Sequence, residues 1–290
     1  MLVLCGYGFG ENGPFIEYDD WHDGGLRKQL ALLDNTKYIR FYSSRYCPGS
    51  FNLAKLKGQP CNELTPIELP SFNSCKTCFD KTGFNPAFYH MNKSEISPQQ
   101  RTYNNEAHKV YLAWFSQGLM KVGISNSRRI ETRWLEQGAR AAVQVEETRN
   151  AYEARDLELK FSEELNLPEV ILGRKKRKLI HLEMDASMAR MELDTYLSRL
   201  NMASTRYSEI QFLDNHYHLD IPENTPVVDQ TEMGILSGRF VGLIGEHLLY
   251  YDETKSCTYV LSLKKWNGHT VEFGKEMKEV RSPEQQMSLF

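Results

Sequence analysis

No stretch of this chain approaches the roughly 18 consecutive apolar residues that a bilayer-spanning helix needs, so no such helix is expected. The opening MLVLCGYGFGENG carries no basic segment ahead of its short apolar run and makes a poor secretion signal. These two absences predict a cytoplasmic protein. An excess of charge is missing too: Lys and Arg number 35 against 38 Asp and Glu, a formal net charge of -3. No global basic field therefore draws a polyanion, and any nucleic-acid surface has to be local. No internal repeat is evident. Cysteines are few, six in 290 residues. In a reducing compartment their spacing favours metal binding or catalysis over disulfides.

What is present is ordinary for a globular chain, with 41% hydrophobic and 25% charged residues. The length implies about two domains and a core that needs no outside support. The first hundred residues are rich in Gly, Pro, Asn, Cys and aromatics, with short strand signals such as Tyr38 to Tyr42 between turns. From His108 the texture changes. KVYLAWF and LMKVGIS read as strands joined by a Gln-Gly turn, a hairpin. A helix is expected from Asn126 to Gln137, with Gly138 as its stop. AAVQVEET reads as a third strand, and Asn150 caps a second helix that runs to Leu165. A helical pattern covers 178–200, and the segments SEIQFL, HYHLDI, GRFVGLIG, EHLLYYD, CTYVLSLKK and HTVEF read as strands.

The expected architecture is α+β. A zinc-stapled loop and strand region (1–104) precedes a three-stranded core with flanking helices (105–170). A basic linker and helix (171–204), a small antiparallel β domain (205–280) and a disordered tail (281–290) follow.

The staple is expected from Cys47, Cys61, Cys75 and Cys78, the last two forming a CxxC knuckle. Four thiolates on separate turns make a closed tetrahedral zinc site, structural rather than catalytic. A redox CxxC would instead sit at a helix start beside a βαβ pattern, which the sequence does not display. Unliganded buried thiols remain the plain alternative. Cys5 and Cys257 read as such thiols.

In the central segment, Val110-Tyr111-Leu112, Lys121-Val122-Gly123-Ile124-Ser125, Arg133-Trp134 and a glutamate on the next helix follow in order. Over about 60 residues this order resembles the GIY-YIG endonuclease family. That resemblance implies a three-stranded antiparallel sheet flanked by helices. It also implies a phosphodiesterase site with a tyrosine on each of the first two strands, an arginine on the first helix and a metal-binding glutamate later. Tyr111 falls on the first tyrosine, and Gly123 and Arg133 match. Lys109 stands where a glycine is expected, and Lys121 replaces the second tyrosine, as in relatives that carry KIG. The wider arrangement is similar to a family of no established activity that joins a cysteine cluster, an FNPAFY segment (Phe84 to Tyr89) and this core.

Two glutamates compete for the metal. The apolar stripe Ala154, Leu157, Phe161 and Leu165 places Glu158 about 55° from its centre and Glu153 about 85° away. A carboxylate at the edge of a buried stripe needs a cation or donor, which favours Glu158. The resemblance implies that Glu158 would hold Mg2+ or Mn2+, with Tyr111 as general base, Arg133 on the developing charge and Lys121 on the phosphate. Loss of catalysis with the Tyr-to-Lys change, leaving a nucleic-acid-binding module, is the alternative.

Arg128 and Arg129 on the first helix, and Lys175, Lys176 and Arg177 in the GRKKRK run, are expected to track phosphates, DNA more than RNA. The last residues resemble the short motif by which bacterial repair proteins dock on the sliding clamp. Gln286 would fix the register, and Leu289 and Phe290 would fill an apolar pocket. The combined expectation is a metal-dependent DNA endonuclease in repair, genome maintenance or defence; the alternatives are a catalytically inactive nucleic-acid-binding module or a zinc-containing adaptor tethered to the sliding clamp.

Overall fold

Glycines and polar turns cut the start of the chain into four strands: β1 (Leu2–Gly10), β2 (Gly13–Asp20), β3 (Leu26–Ala31) and β4 (Tyr38–Arg45). The computed structural model describes residues 1–33, 36–69, 71–92, 94–200 and 207–275. The tail with Gln286, Leu289 and Phe290 lies outside the described residues. A small hairpin, β5 (Ser50–Asn52) and β6 (Lys57–Gln59), precedes helices α1 (Lys76–Thr82) and α2 (Pro98–Asn104).

The central segment folds as β7 (His108–Ser116), β8 (Leu119–Asn126), α3 (Ile130–Gln137), β9 (Ala141–Thr148) and α4 (Ala151–Leu165). Gly118 supplies the positive φ of the β7–β8 turn. Asn150 accepts from the Tyr152 and Glu153 amides to start α4, and Asn166 ends it in a left-handed conformation. Asn126 caps a short 3-10 turn, Ser127–Arg129, so α3 begins later than expected.

Helices α5 (Gly173–Arg177) and α6 (Ala186–Arg199) follow. The pattern from residue 178 is thus not one helix, because Asp185 accepts from the Met188 amide and starts α6 afresh. The remaining strands are β10 (Gln211–Phe212), β11 (Val227–Asp229), β12 (Ile235–Ser237), β13 (Arg239–Ile244), β14 (His247–Asp252), β15 (Cys257–Ser262) and β16 (His269–Gly274). HYHLDI is not a strand. Asp214–Tyr217 winds as a 3-10 turn, His218 takes φ 50, and the fully buried Tyr217 donates its hydroxyl proton to Ala139 O.

The protein is α+β. Strand β7 is the pivot, buried on both faces. Val110, Leu112 and Trp114 pack against Ala154, Phe161 and Leu165 of α4 and Leu193 of α6. Tyr111, Ala113 and Phe115 pack on the other side, in a cluster with Ile130 and Trp134 of α3 and Val241 and Leu249 from the last sheet. The central sheet runs β10-β9-β7-β8, which leaves β8 at an edge.

The last strands do not form a domain of their own, which corrects the expected boundary at 205. β16 inserts between β4 and β1 in a six-stranded sheet, β12-β4-β16-β1-β2-β3, with Leu2 opposite Val271. The alternation of HTVEF buries Val271 in one layer with Leu4, Ile16 and Phe41. The other four strands run β11-β15-β14-β13, with β11 parallel to β15 rather than antiparallel.

This shared sheet makes the two ends of the chain interdependent. A protein ending at Asn267 is expected to lose cooperative thermal unfolding by circular dichroism, because β1 and β4 lose their common partner. A native-like melt of that shortened chain would contradict the sheet order.

Candidate functional site

The four predicted cysteines meet. Gly49, at φ 93, lets the chain double back after Cys47, and a Cβ there would lie 1.9 Å from Gln59 O. Cys61 follows β6, Cys75 precedes the first residue of α1, and Cys78 sits in its first turn. The four Sγ atoms all lie within 4.8 Å of one another, and those of Cys61 and Cys75 are 4.0 Å apart. Zinc–sulfur bonds of about 2.3 Å arranged as a tetrahedron separate the sulfurs by roughly 3.8 Å, so the set could hold a metal such as zinc. With four protein ligands the centre would be closed to substrate. Arg27 ties it to the six-stranded sheet, donating to both oxygens of the buried Asp19 and, at 2.6 Å, to Pro48 O.

A separate cleft of about 840 Å³ runs along the open edge of β8. It brings together Tyr111 of β7, Lys121 of β8, Arg133 of α3 and Glu158 of α4. The hairpin register sets Tyr111 opposite Gly123, and a Cβ on Gly123 would come within 2.6 Å of the phenol. The ring is therefore seated where any other residue would hold it off. The Gln137 amide lies 2.8 Å from the Tyr111 hydroxyl. Turned to satisfy both neighbours, its oxygen accepts from Tyr111 and, at 2.6 Å, from Arg133 Nε.

Glu158 is 6% exposed, whereas Glu153 pairs with Arg149 away from the cleft. Arg155 Nη1 donates to Glu158 Oε2 at 2.5 Å and to Glu169 Oε2 at 2.6 Å, so two carboxylates aim at one point. Lys121 Nζ donates to Glu169 O at 2.8 Å. Glu169, Gln137 and Arg155 are participants that the sequence motif did not single out. Only Arg155, as a cation one helical turn before Glu158, left a signal.

Burial sets the electrostatics. It pushes the Glu158 carboxyl up, against the pull of Arg155. Burial, with Arg133 nearby, lowers the Lys121 ammonium to about 8. Burial raises the Tyr111 phenol despite Arg133. A phenol raised in this way stays protonated at neutral pH and offers a proton, which runs against its expected part as a base. Six Lys or Arg side chains line the cleft against four Glu, a local positive excess in a chain of net charge -3.

Four of the five predicted phosphate-tracking residues have protein partners. Arg128 binds Ala54 O at 2.9 Å and Glu106 at 2.6 Å, and Arg129 binds Glu136 at 2.7 Å. Arg177 pairs with Asp229 at 2.9 Å. Lys175 is exposed, while Lys176 turns into the cleft, donates to Gln137 O at 2.7 Å and lies over Phe115. Within GRKKRK, Lys176 and Arg177 are thus packed around α5, whereas Arg174, Lys175 and Lys178 are exposed.

Two outcomes follow. Elemental analysis is expected to find about one zinc per chain, and Cys78→Ser to lose it with a fall in Tm of roughly 10 °C or more. A metal-free protein with an unchanged melt would remove the centre. Burial also lowers Lys176 to about 8, below its unfolded value near 10.4. The folded state therefore disfavours the charged form, a destabilisation that is full below about pH 8 and fades towards pH 10.4. Lys176→Met should flatten this rise in stability in denaturant titrations across that window.

No curated protein matches the chain, and no solved structure does either. The model of one family matches residues 52–271, a span that takes in the cleft quartet and three of the four cysteines. The chain belongs to that family, described as "Protein of unknown function (DUF2797)".

Proposed function

We propose that the β8 cleft binds a nucleic-acid phosphate, DNA rather than RNA, and hydrolyses the phosphodiester. The observation that carries this reading is the convergence of Tyr111, Lys121, Arg133 and Glu158, from four separate elements, on one cation-rich cleft. A backbone phosphate is an anion that needs no base-specific contact to dock. Lys121 supplies a point charge, and Arg133 a planar fork for two phosphate oxygens. Tyr111 acts through Gln137, whose amide oxygen holds Arg133 Nε and so fixes the plane of the guanidinium. Held in advance, that donor stabilises charge as it develops on the phosphate without reorganising.

Glu158 and Glu169 fit a divalent ion. Mg2+ is commonly held by one or two carboxylates together with substrate phosphates, and these two oxygens lie within 2.6 Å of one guanidinium nitrogen. When bound there, the ion would polarise a phosphate oxygen and carry charge on the leaving oxygen. Arg155 competes for that point. Its position favours a second reading, a binding module in which the guanidinium stands in for the cation and nothing is cut.

Turnover separates the two readings. With Mg2+ or Mn2+, labelled flapped, branched or duplex DNA is expected to be nicked. Glu158→Gln and Arg133→Ala should each cost about 10²- to 10³-fold with folding intact. Cutting that survives both changes would refute the assignment. Salt-dependent binding without cutting would support the module.

A further inference from the structure

Besides the quartet, the cleft has an aromatic wall that phosphate chemistry leaves unused. Phe84, Phe88 and Tyr89, from the segment between α1 and α2, line it together with Tyr103 of α2. The wall is held in place. The buried Gln100 amide accepts from Asn85 N at 2.8 Å and donates to Asn85 O at 2.7 Å, and Ser97 Oγ donates to Gly83 O at 2.6 Å. Phe84 meets Tyr103 edge to face at 6.0 Å, and the Arg155 guanidinium lies 4.6 Å over the Tyr89 ring. Phe84 and Tyr89 nevertheless keep 39% and 38% of their surface exposed. Large rings fastened in a cleft lining, rather than folded into a core, are a stacking surface.

Asn104, the last residue of α2, lines the same cleft. It is 0% exposed, yet neither its Oδ1 nor its Nδ2 has a hydrogen-bond partner among the described residues. An orphaned buried amide is unfavourable. A group that relieves it must carry both a donor and an acceptor and must enter by the cleft.

We propose that this part of the cleft receives an unpaired nucleobase. The base would stack against Phe84 and Tyr89 and be met at its edge by the Asn104 amide, with its strand's phosphate at Lys121 and Arg133. The proposal rests on the phosphate reading of the quartet and narrows it to a single-stranded or locally opened substrate. Aromatic rings stack on any base, and an amide matches the neighbouring donor and acceptor on a base edge. In an intact duplex the faces are stacked and the pairing edges are taken, so a paired base cannot enter. A purely apolar ligand would leave Asn104 unsatisfied and would have no use for the cations.

The test is fluorescence anisotropy on the full chain carrying Glu158→Gln, with a labelled strand of about 12 nucleotides and a blunt duplex of the same sequence. DNA and RNA versions of the strand separate the two sources of the base. The strand is expected to bind about tenfold more tightly than the duplex. Adding Phe84→Ala should weaken strand binding by about fivefold to tenfold and leave the duplex unmoved. Asn104→Leu should weaken strand binding similarly while Tm holds or rises, because the orphaned amide is gone. Equal affinity for strand and duplex overturns the proposal, as does strand affinity indifferent to both changes. Strand preference with both variant effects, but no cutting by the unsubstituted protein, keeps the base pocket and removes the hydrolysis. Duplex cutting without strand preference does the reverse.

Discussion

The contact between the Tyr111 ring and Gly123 organises much of what surrounds it. A phenol that rests on a glycine across a hairpin lies flat along the sheet, and its hydroxyl reaches α3 at Gln137. Trp134, one turn earlier on α3, meets the same ring edge to face at 6.0 Å. The helix is thus positioned by one aromatic side chain through both packing and polarity. A methyl at position 123 would force the ring away and disturb Gln137, and through it Arg133. Overpacking of this kind typically costs about 1–3 kcal/mol, and here the strain would fall on the cleft.

The edge of β8 makes the cleft possible. An edge strand offers unpaired backbone groups, and the segment after α4 covers them only in part, with the Val122 amide donating to Pro168 O at 3.2 Å. Side chains from α3 on one face of the sheet and from α4 on the other then reach around the same open edge. The result concentrates buried charge: Lys121, Glu158 and Arg155 with Glu169. Burying ions is costly even when they are paired, and a well-packed apolar cluster would often be as stable. Arg155 Nε has no hydrogen-bond partner among the described residues. Charge kept at such a cost, in a cleft, with perturbed protonation, is the observation on which the proposed function rests.

Much of this was legible in the sequence, and the legible parts share a cause. The β7–β8 hairpin, the β9 strand, the Asn150 cap of α4 and the Gly138 stop of α3 are written in adjacent residues, through alternation, turn chemistry and capping. The angular position of Glu158 beside the α4 stripe is equally local. The thiol spacing was readable because metal ligands are a small chemical alphabet. What was not legible depends on residues far apart in the chain. No periodicity in HTVEF says that it pairs with β1 rather than with a neighbour. HYHLDI alternates like a strand, yet the buried hydrogen bond from Tyr217 to Ala139 pulls it into a turn. GRKKRK reads as a phosphate-tracking run, but Phe115 and the end of α3 give Lys176 an aromatic face and a carbonyl. Gln137, Glu169 and Asn104 belong to no motif and acquire meaning only from their neighbours.

The cysteine centre and the cleft look unrelated in the sequence, but the fold couples them. Arg128 reaches from the start of the α3 segment to Ala54 O in the loop between β5 and β6, and Arg129 lies over the Phe51 ring of that hairpin at 5.7 Å. Thr82, near the end of the helix that carries Cys78, accepts from the Phe51 amide at 2.9 Å. Its neighbour Gly83 starts the segment that leads to Phe84 and Tyr89. A metal that rigidifies α1 would therefore steady the aromatic lining of the cleft and, through Phe51, Arg129. On this view the two arginines that look like phosphate ligands in the sequence serve instead to fasten one module to the other. The cysteine cluster and the cleft thus share the β5–β6 hairpin and α1 as common supports.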